Sequence, residues 1–177
     1  MNPAEEPHWY CLKSQPKHEH IAAAHLKLID GVEVFAPRLR FQRATQQGAR
    51  WYEEAMFPGY LFARFPFAER HKEIRYSAGV STILRFGDQY AMLDDAIIDG
   101  LRDQTDPQHV ALIAPEVREG TEVKIVGAAL HGIEAVVTQV LSGRERIRIL
   151  INFFGRQMTA ELQRPSVLPA KRHPLAA

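Results

Sequence analysis

The segment HEHIAAAH gathers three imidazoles, His18, His20 and His25, within eight residues, and histidines so crowded are the first place to look for metal chemistry. On a helix, positions two apart point about 200° from one another, so His18 and His20 diverge. No paired carboxylate or cysteine cluster completes a ligand set. Cys11 is the only thiol in 177 residues, which also excludes an internal disulfide framework. Serines, histidines and aspartates occur without a nucleophile-elbow sequence, and no glycine-rich phosphate loop is present. The expectation is a protein that is not an enzyme and that needs neither metal nor cofactor.

Two other sets of residues carry binding chemistry. Arg38, Arg40, Arg43 and Arg50 lie in a stretch from Pro37 to Trp51 that contains no acidic residue. Four guanidinium groups in a hairpin are either a solubilising surface or a set of phosphate contacts, and nothing in the stretch specifies a base. The aromatics Trp9, Phe57, Tyr60 and Phe86 are either core residues of a small sheet domain or an apolar patch that survives on an open sheet face. Lys and Arg total 22 against 21 Asp and Glu, a net charge of +1, so any attraction to polyanions must be local. The N-terminus lacks the basic, then apolar, pattern of a signal peptide, and no run approaches the ~20 apolar residues of a membrane span. A cytoplasmic monomer without a membrane partner is expected.

The elements that would position these residues alternate. WYCLK reads as a strand with Trp9, Cys11 and Lys13 on one face and Tyr10 and Leu12 on the other. Ser14 is placed to cap a following helix, with Pro16 in its first turn and Gly31 just past its end. VEVFAP is a short strand, residues 38–55 an extended hairpin or loop, and FPGYLFARF a buried strand. Pro66 opens a short helix, STILRFG and YAML give two more strands, and Asp94 caps a helix carrying Ile97, Ile98 and Leu101. This order predicts an α+β fold: a ferredoxin-like or RNA-recognition-like sandwich over residues 1–105, with helices on one face of an antiparallel sheet.

Residues 106–117 read as a linker, and 118–170 as a small five-stranded β-barrel followed by a tail, 171–177. The C-terminal part satisfies two periods at once. Ile147, Ile149 and Ile151 alternate as in a strand, whereas Val126, Leu130, Ile133, Val137 and Val140, and Ile147, Ile151, Phe154, Met158 and Leu162, repeat as on a helix. Gly127, Gly132 and Gly155 weigh against helices by about 1 kcal/mol each relative to Ala, so the module should be β.

These residues resemble the NusG family of transcription elongation factors, and its specialised RfaH-like paralogues in particular. WYCLKSQPKHEHIAAAHL, VFAP with the arginine-rich stretch, MFPGYLFARF at 56–65, GVSTILRFG at 79–87 and the KOW-type segment EGTEVKIVGAALHGIEAVV at 119–137 carry the resemblance. GVSTILRFG looks RfaH-like, whereas INFFGRQMTAEL looks like housekeeping NusG.

The resemblance implies an NGN domain followed by an SH3-like KOW barrel. It implies an elongation or antitermination factor that binds RNA polymerase at the clamp helices of the largest subunit and reduces pausing or termination. Trp9, Phe57, Pro58, Tyr60 and Phe86 would shape the docking depression, with Ile97 or Ile98 closing one side. Arg38, Arg40, Arg43 and Arg50 would face upstream DNA. RfaH reads a non-template DNA element with residues around its first helix and around the helix before GVS. The matching residues here, His18, His20, Arg70, His71, Lys72 and Arg75, would read another sequence or hold phosphates, because RHKEIRYSA departs from that pattern. The KOW module would recruit a small-subunit ribosomal protein or Rho, and RfaH-like members can hold it as an α-hairpin over the docking patch. The rival reading is a ribosome-associated RNA-binding protein with a KOW barrel, which would stack bases on exposed sheet aromatics.

Overall fold

The structure, a computed structural model, describes residues 6–45, 47–127, 130–141, 146–153 and 155–170. Phe154 of the helical series and the tail 171–177 lie outside the described residues. The chain divides into two compact units, Met1–Leu39 with Glu54–Ala111 and Arg40–Glu53 with Leu112–Ala177.

In the first unit, strand β1 (Pro7–Ser14) occupies the centre of a sheet. It pairs antiparallel with β5 (Tyr60–Pro66) along one edge, and with β6 (Val80–Ile83) and β9 (Met92–Leu93) along the other. Beyond β5 lies β2 (Glu33–Phe35). Alternation along β1 fixes what each face buries. Tyr10 and Leu12 join Ala63, Phe65 and Leu61 of β5 beneath Ala22, Ala23 and Leu26 of helix α1 (Glu19–Leu26) and Ile74 of α2 (Phe67–Arg75). Trp9 faces the other way, with Phe35, Phe62 and Ile98 of α3 (Asp95–Arg102). Helices therefore cover both faces, not one. The amphipathic pattern of α3 requires a face to bury but does not say which side of the sheet supplies it.

Two local expectations also change. Ser14 does not cap α1. It ends β1, its amide donating to the Gly59 carbonyl at 2.8 Å, and His18 is the N-cap after a turn in which Lys17 takes φ 62°. STILRFG is not one strand. β6 stops at Ile83, Leu84 donates to the Cys11 carbonyl at 2.8 Å, and β7 (Arg85–Phe86) forms a separate ribbon with β8 (Gln89–Tyr90). Gly87 at φ 60° closes that tight turn. Asp94 does cap α3, its side chain accepting from Ala96 N–H at 2.9 Å.

The stretch 38–55 forms the hairpin of β3 (Arg38–Thr45) and β4 (Gly48–Ala55). Residues 106–117, expected as linker, contain β10 (Val110–Leu112), which completes a sheet of order β10-β3-β4. The Asp106 carboxylate prepares the entry by accepting from the amides of Gln108 (2.9 Å) and Val110 (2.8 Å).

The C-terminal residues form five further strands: β11 (Glu122–Ile125), β12 (Glu134–Val140), β13 (Arg146–Phe153), β14 (Arg156–Gln163) and β15 (Val167–Pro169). They make one antiparallel sheet, β14-β13-β12-β11-β15, around Val123, Ile125, Val137, Ile147, Ile149 and Ile151. The period of two prevails over the helical one. Gly127, Gly132 and Gly155 all have positive φ, which a helix interior excludes.

Candidate interaction surfaces

On the α3 side of the first sheet, cross-strand pairing sets Cys11 opposite Phe62, Lys13 opposite Tyr60 and Trp9 opposite Arg64. Trp9, Phe35, Phe62 and Ile98 form a buried floor. The Arg102 guanidinium lies 5.1 Å from the Trp9 ring centroid and 5.5 Å from that of Phe35, and it pairs with Glu33. This stacked cation fixes the C-terminal end of α3 over the aromatic floor. His109 packs edge-on against Phe35 at 4.9 Å. Burial, then the charges of Lys27, Arg102 and Arg38, push its pKa below the ordinary histidine value despite Asp106. Burial raises the Cys11 thiol, so Cys11 serves this face as a small apolar group.

Beyond α3 the face stays open. Phe57 is half-buried, edge-on to Phe62 at 5.5 Å, and Pro58 is exposed. Tyr60 is 37% exposed, Ile97 51% and Phe86 74%. Phe86 belongs to this face by alternation. Its neighbour Arg85 pairs with Tyr90, and Tyr90 stacks on Phe67 of the opposite core. Ile97 precedes Leu101 by one turn and so shares its side of α3. Of the docking residues that the resemblance implied, Trp9 and Ile98 are thus floor. Phe57 is half-buried against that floor, and Pro58, Tyr60, Phe86 and Ile97 are exposed. Arg102 is not singled out by the sequence, whereas Leu101 is. Arg102 carries no sequence signal, because its role depends on a tertiary crossing.

The basic residues fall into two groups. On the α1/α2 side, Gly79 (φ 84°) brings the turn after α2 against α1 so closely that a Cβ there would lie 2.6 Å from Ala22 N and 3.1 Å from His18 O. The beginning of α1, with His18 and exposed His20, therefore adjoins the end of α2, with exposed Lys72 and Arg75. His71 stacks on Phe67 at 4.9 Å and Arg70 pairs with Glu73 at 3.0 Å, so both are engaged within α2. In the hairpin the four arginines separate. Arg43 is half-buried between the rings of Phe41 (4.9 Å) and Tyr52 (4.8 Å). Arg38, Arg40 and Arg50 are exposed, and Arg50 also bonds Gln47.

Among the described residues no group of histidine, cysteine and carboxylate side chains is arranged to hold a metal ion, and no helix is long and apolar enough to cross a membrane.

Comparisons with known proteins bear on what such surfaces serve. The family model described as "NusG: Transcription termination factor nusG" matches residues 7–102, more than half of the chain. Among solved structures, the chain is similar to one titled "Domain interaction in Thermotoga maritima NusG", with 17% identity, 95% of this chain and 99% of that chain covered, and a TM-score of 0.42. It is also similar to two conformations of an MjSpt4:Spt5 complex, each at 14% identity and a TM-score of 0.36. Those matches cover 93% of this chain and 99% or 98% of theirs. No curated protein matches it. With the family model covering β1 through α3, the chain belongs to the NusG family of non-enzymatic transcription elongation factors.

Proposed function

We propose that the protein binds RNA polymerase through the open face beside α3 and reduces pausing or termination, as an RfaH-like specialised member of its family. The observation that carries this reading is the exposure of Tyr60, Phe86 and Ile97 together with the buried aromatic floor of Trp9, Phe35 and Phe62. Clustered exposed aromatics of this kind suit a helical partner such as the clamp helices of the largest subunit. Bridging the clamp to the opposite wall would favour the closed enzyme, which requires only a higher affinity for that state. The exposed arginines of the hairpin would lie toward upstream DNA. His18, His20, Lys72 and Arg75 would contact the non-template strand, by phosphate or by base.

The test uses the full chain and core polymerase. Phe86→Ala with Ile97→Ala removes two exposed side chains, each worth about 2 kcal/mol at a docking centre, so affinity should fall by several hundredfold while the thermal midpoint holds. Unchanged affinity would remove the docking face from the proposal.

The C-terminal sheet, as a KOW module, would recruit a small-subunit ribosomal protein or Rho. The double periodicity of Val126 to Leu162 supports an alternative α-hairpin state separated from the strands by a few kcal/mol. Backbone carbon chemical shifts of the full chain and of residues 112–177 should differ across 122–162 if that state is occupied. Strand values in both would eliminate it.

A further inference from the structure

The sheet β10-β3-β4 has two unlike faces. Leu39, Phe41 and Ala111 are buried. The backbone bonds Arg38 N–H to His109 O (2.8 Å) and Ile113 N–H to Arg40 O (2.9 Å) define a parallel register that sets Arg40 beside Leu112. Both residues are exposed, Leu112 by 67%. On β4, Trp51 is 50% exposed, with the Arg40 guanidinium 5.5 Å from its ring centroid. The open face thus carries a large flat aromatic, a cation held against it and an aliphatic neighbour. Two large apolar side chains exposed on one small face, Trp51 and Leu112, raise the question of what covers them.

We infer that this face is a stacking platform for single-stranded nucleic acid, with Trp51 receiving an unpaired base and Arg40 the adjoining phosphate. Charge selects the occupant: residues 37–51 hold four arginines and no carboxylate, a local field that suits a polyanion in a chain of near-zero net charge. Chemistry selects the strandedness. Phosphate contacts alone would serve a duplex, but an indole ring gains little from a duplex backbone and much from the face of a base freed from pairing. Glu53, 3.9 Å from Arg40, is the internal competitor that an incoming phosphate would displace. The inference deepens the reading of the hairpin as a nucleic-acid contact. It replaces sequence-blind backbone contact with duplex DNA by stacking on an unpaired strand.

The test needs no polymerase, so its failure leaves the docking reading beside α3 intact. The full chain is titrated with oligothymidylate of about 20 nucleotides, longer than the ~4–16 nucleotides one such face covers, and with a duplex of the same length, at about 50 mM salt. Trp9 is buried under Arg102, so quenching reports on Trp51. The expected result is tighter binding of the single strand with quenched emission. Trp51→Ala should weaken it about tenfold, while Trp51→Phe keeps the affinity within about threefold and loses the quenching. Three outcomes would overturn the proposal: wild-type affinity in Trp51→Ala, tighter binding of the duplex, or no binding by the wild type.

Discussion

Trp9→Ala should lower the unfolding free energy by about 4 kcal/mol, the range for emptying an aromatic site in a packed core. Trp9 is 2% exposed, and it packs with Phe35, Phe62 and Ile98 beneath the Arg102 guanidinium. Truncation would leave a cavity at the seam between sheet and α3 and strip one of its two stacked rings from Arg102, leaving it Phe35 and its ion pairs with Glu33 and Asp99. Against a typical total of ~5–15 kcal/mol this is a large fraction, and a urea midpoint would register it directly. The result matters for function as well. Loss of polymerase binding in Trp9→Ala would report a damaged α3 seam, whereas the same loss in Phe86→Ala, 74% exposed, would report a lost contact. A Trp9→Ala protein as stable as the wild type would show that α3 is not anchored through this ring.

Gly79→Ala should cost about 3 kcal/mol, from two sources that can be separated. The residue sits at φ 84°, and a Cβ would meet Ala22 N at 2.6 Å and Ala22 Cα at 3.0 Å, backbone atoms of α1 that cannot rotate aside. A left-handed non-glycine residue costs ~1–3 kcal/mol, and forced overpacking adds a similar amount. Gly31, at φ 76° with nothing within 4 Å of its would-be Cβ, supplies the control: Gly31→Ala carries the dihedral cost alone, about 1 kcal/mol. Equal midpoints for the two variants would mean that α1 yields freely at Ala22, and that the apposition of His18 with the end of α2 is not rigidly held.

The sequence made some features legible and not others, for identifiable reasons. The alternation of Trp9, Cys11 and Lys13 against Tyr10 and Leu12 was readable because a strand's period is two and both faces are apolar. The cap at Asp94 was readable because its chemistry is local. Ser14 misled because a serine before a helical pattern looks like a cap even when hydrogen bonding keeps it in the strand. The placement of α3 opposite α1 and α2 was hidden because amphipathicity names a buried stripe, not the surface that buries it. The same blindness grouped Trp9 and Ile98 with Phe86 and Ile97: residue type suggests an anchor, but only packing separates floor from exposed surface. Arg43 stood among four like charges, and its stacking between Phe41 and Tyr52 depends on hairpin register, which no single strand encodes.

The central position of β1 has a consequence for how the chain is made. β1 precedes in the chain all three of the neighbours it needs, β5, β6 and β9, and the last of its partners, Met92 and Leu93, is encoded about eighty residues later. Trp9 waits longer still, until Ile98 and Arg102 of α3 arrive. At ~5–20 residues per second, β1 spends several seconds in the nascent chain without its partners. During that interval Trp9 and Tyr10 have no sheet or helix to bury them, and the rate of translation through residues 60–102 sets how long that exposure lasts.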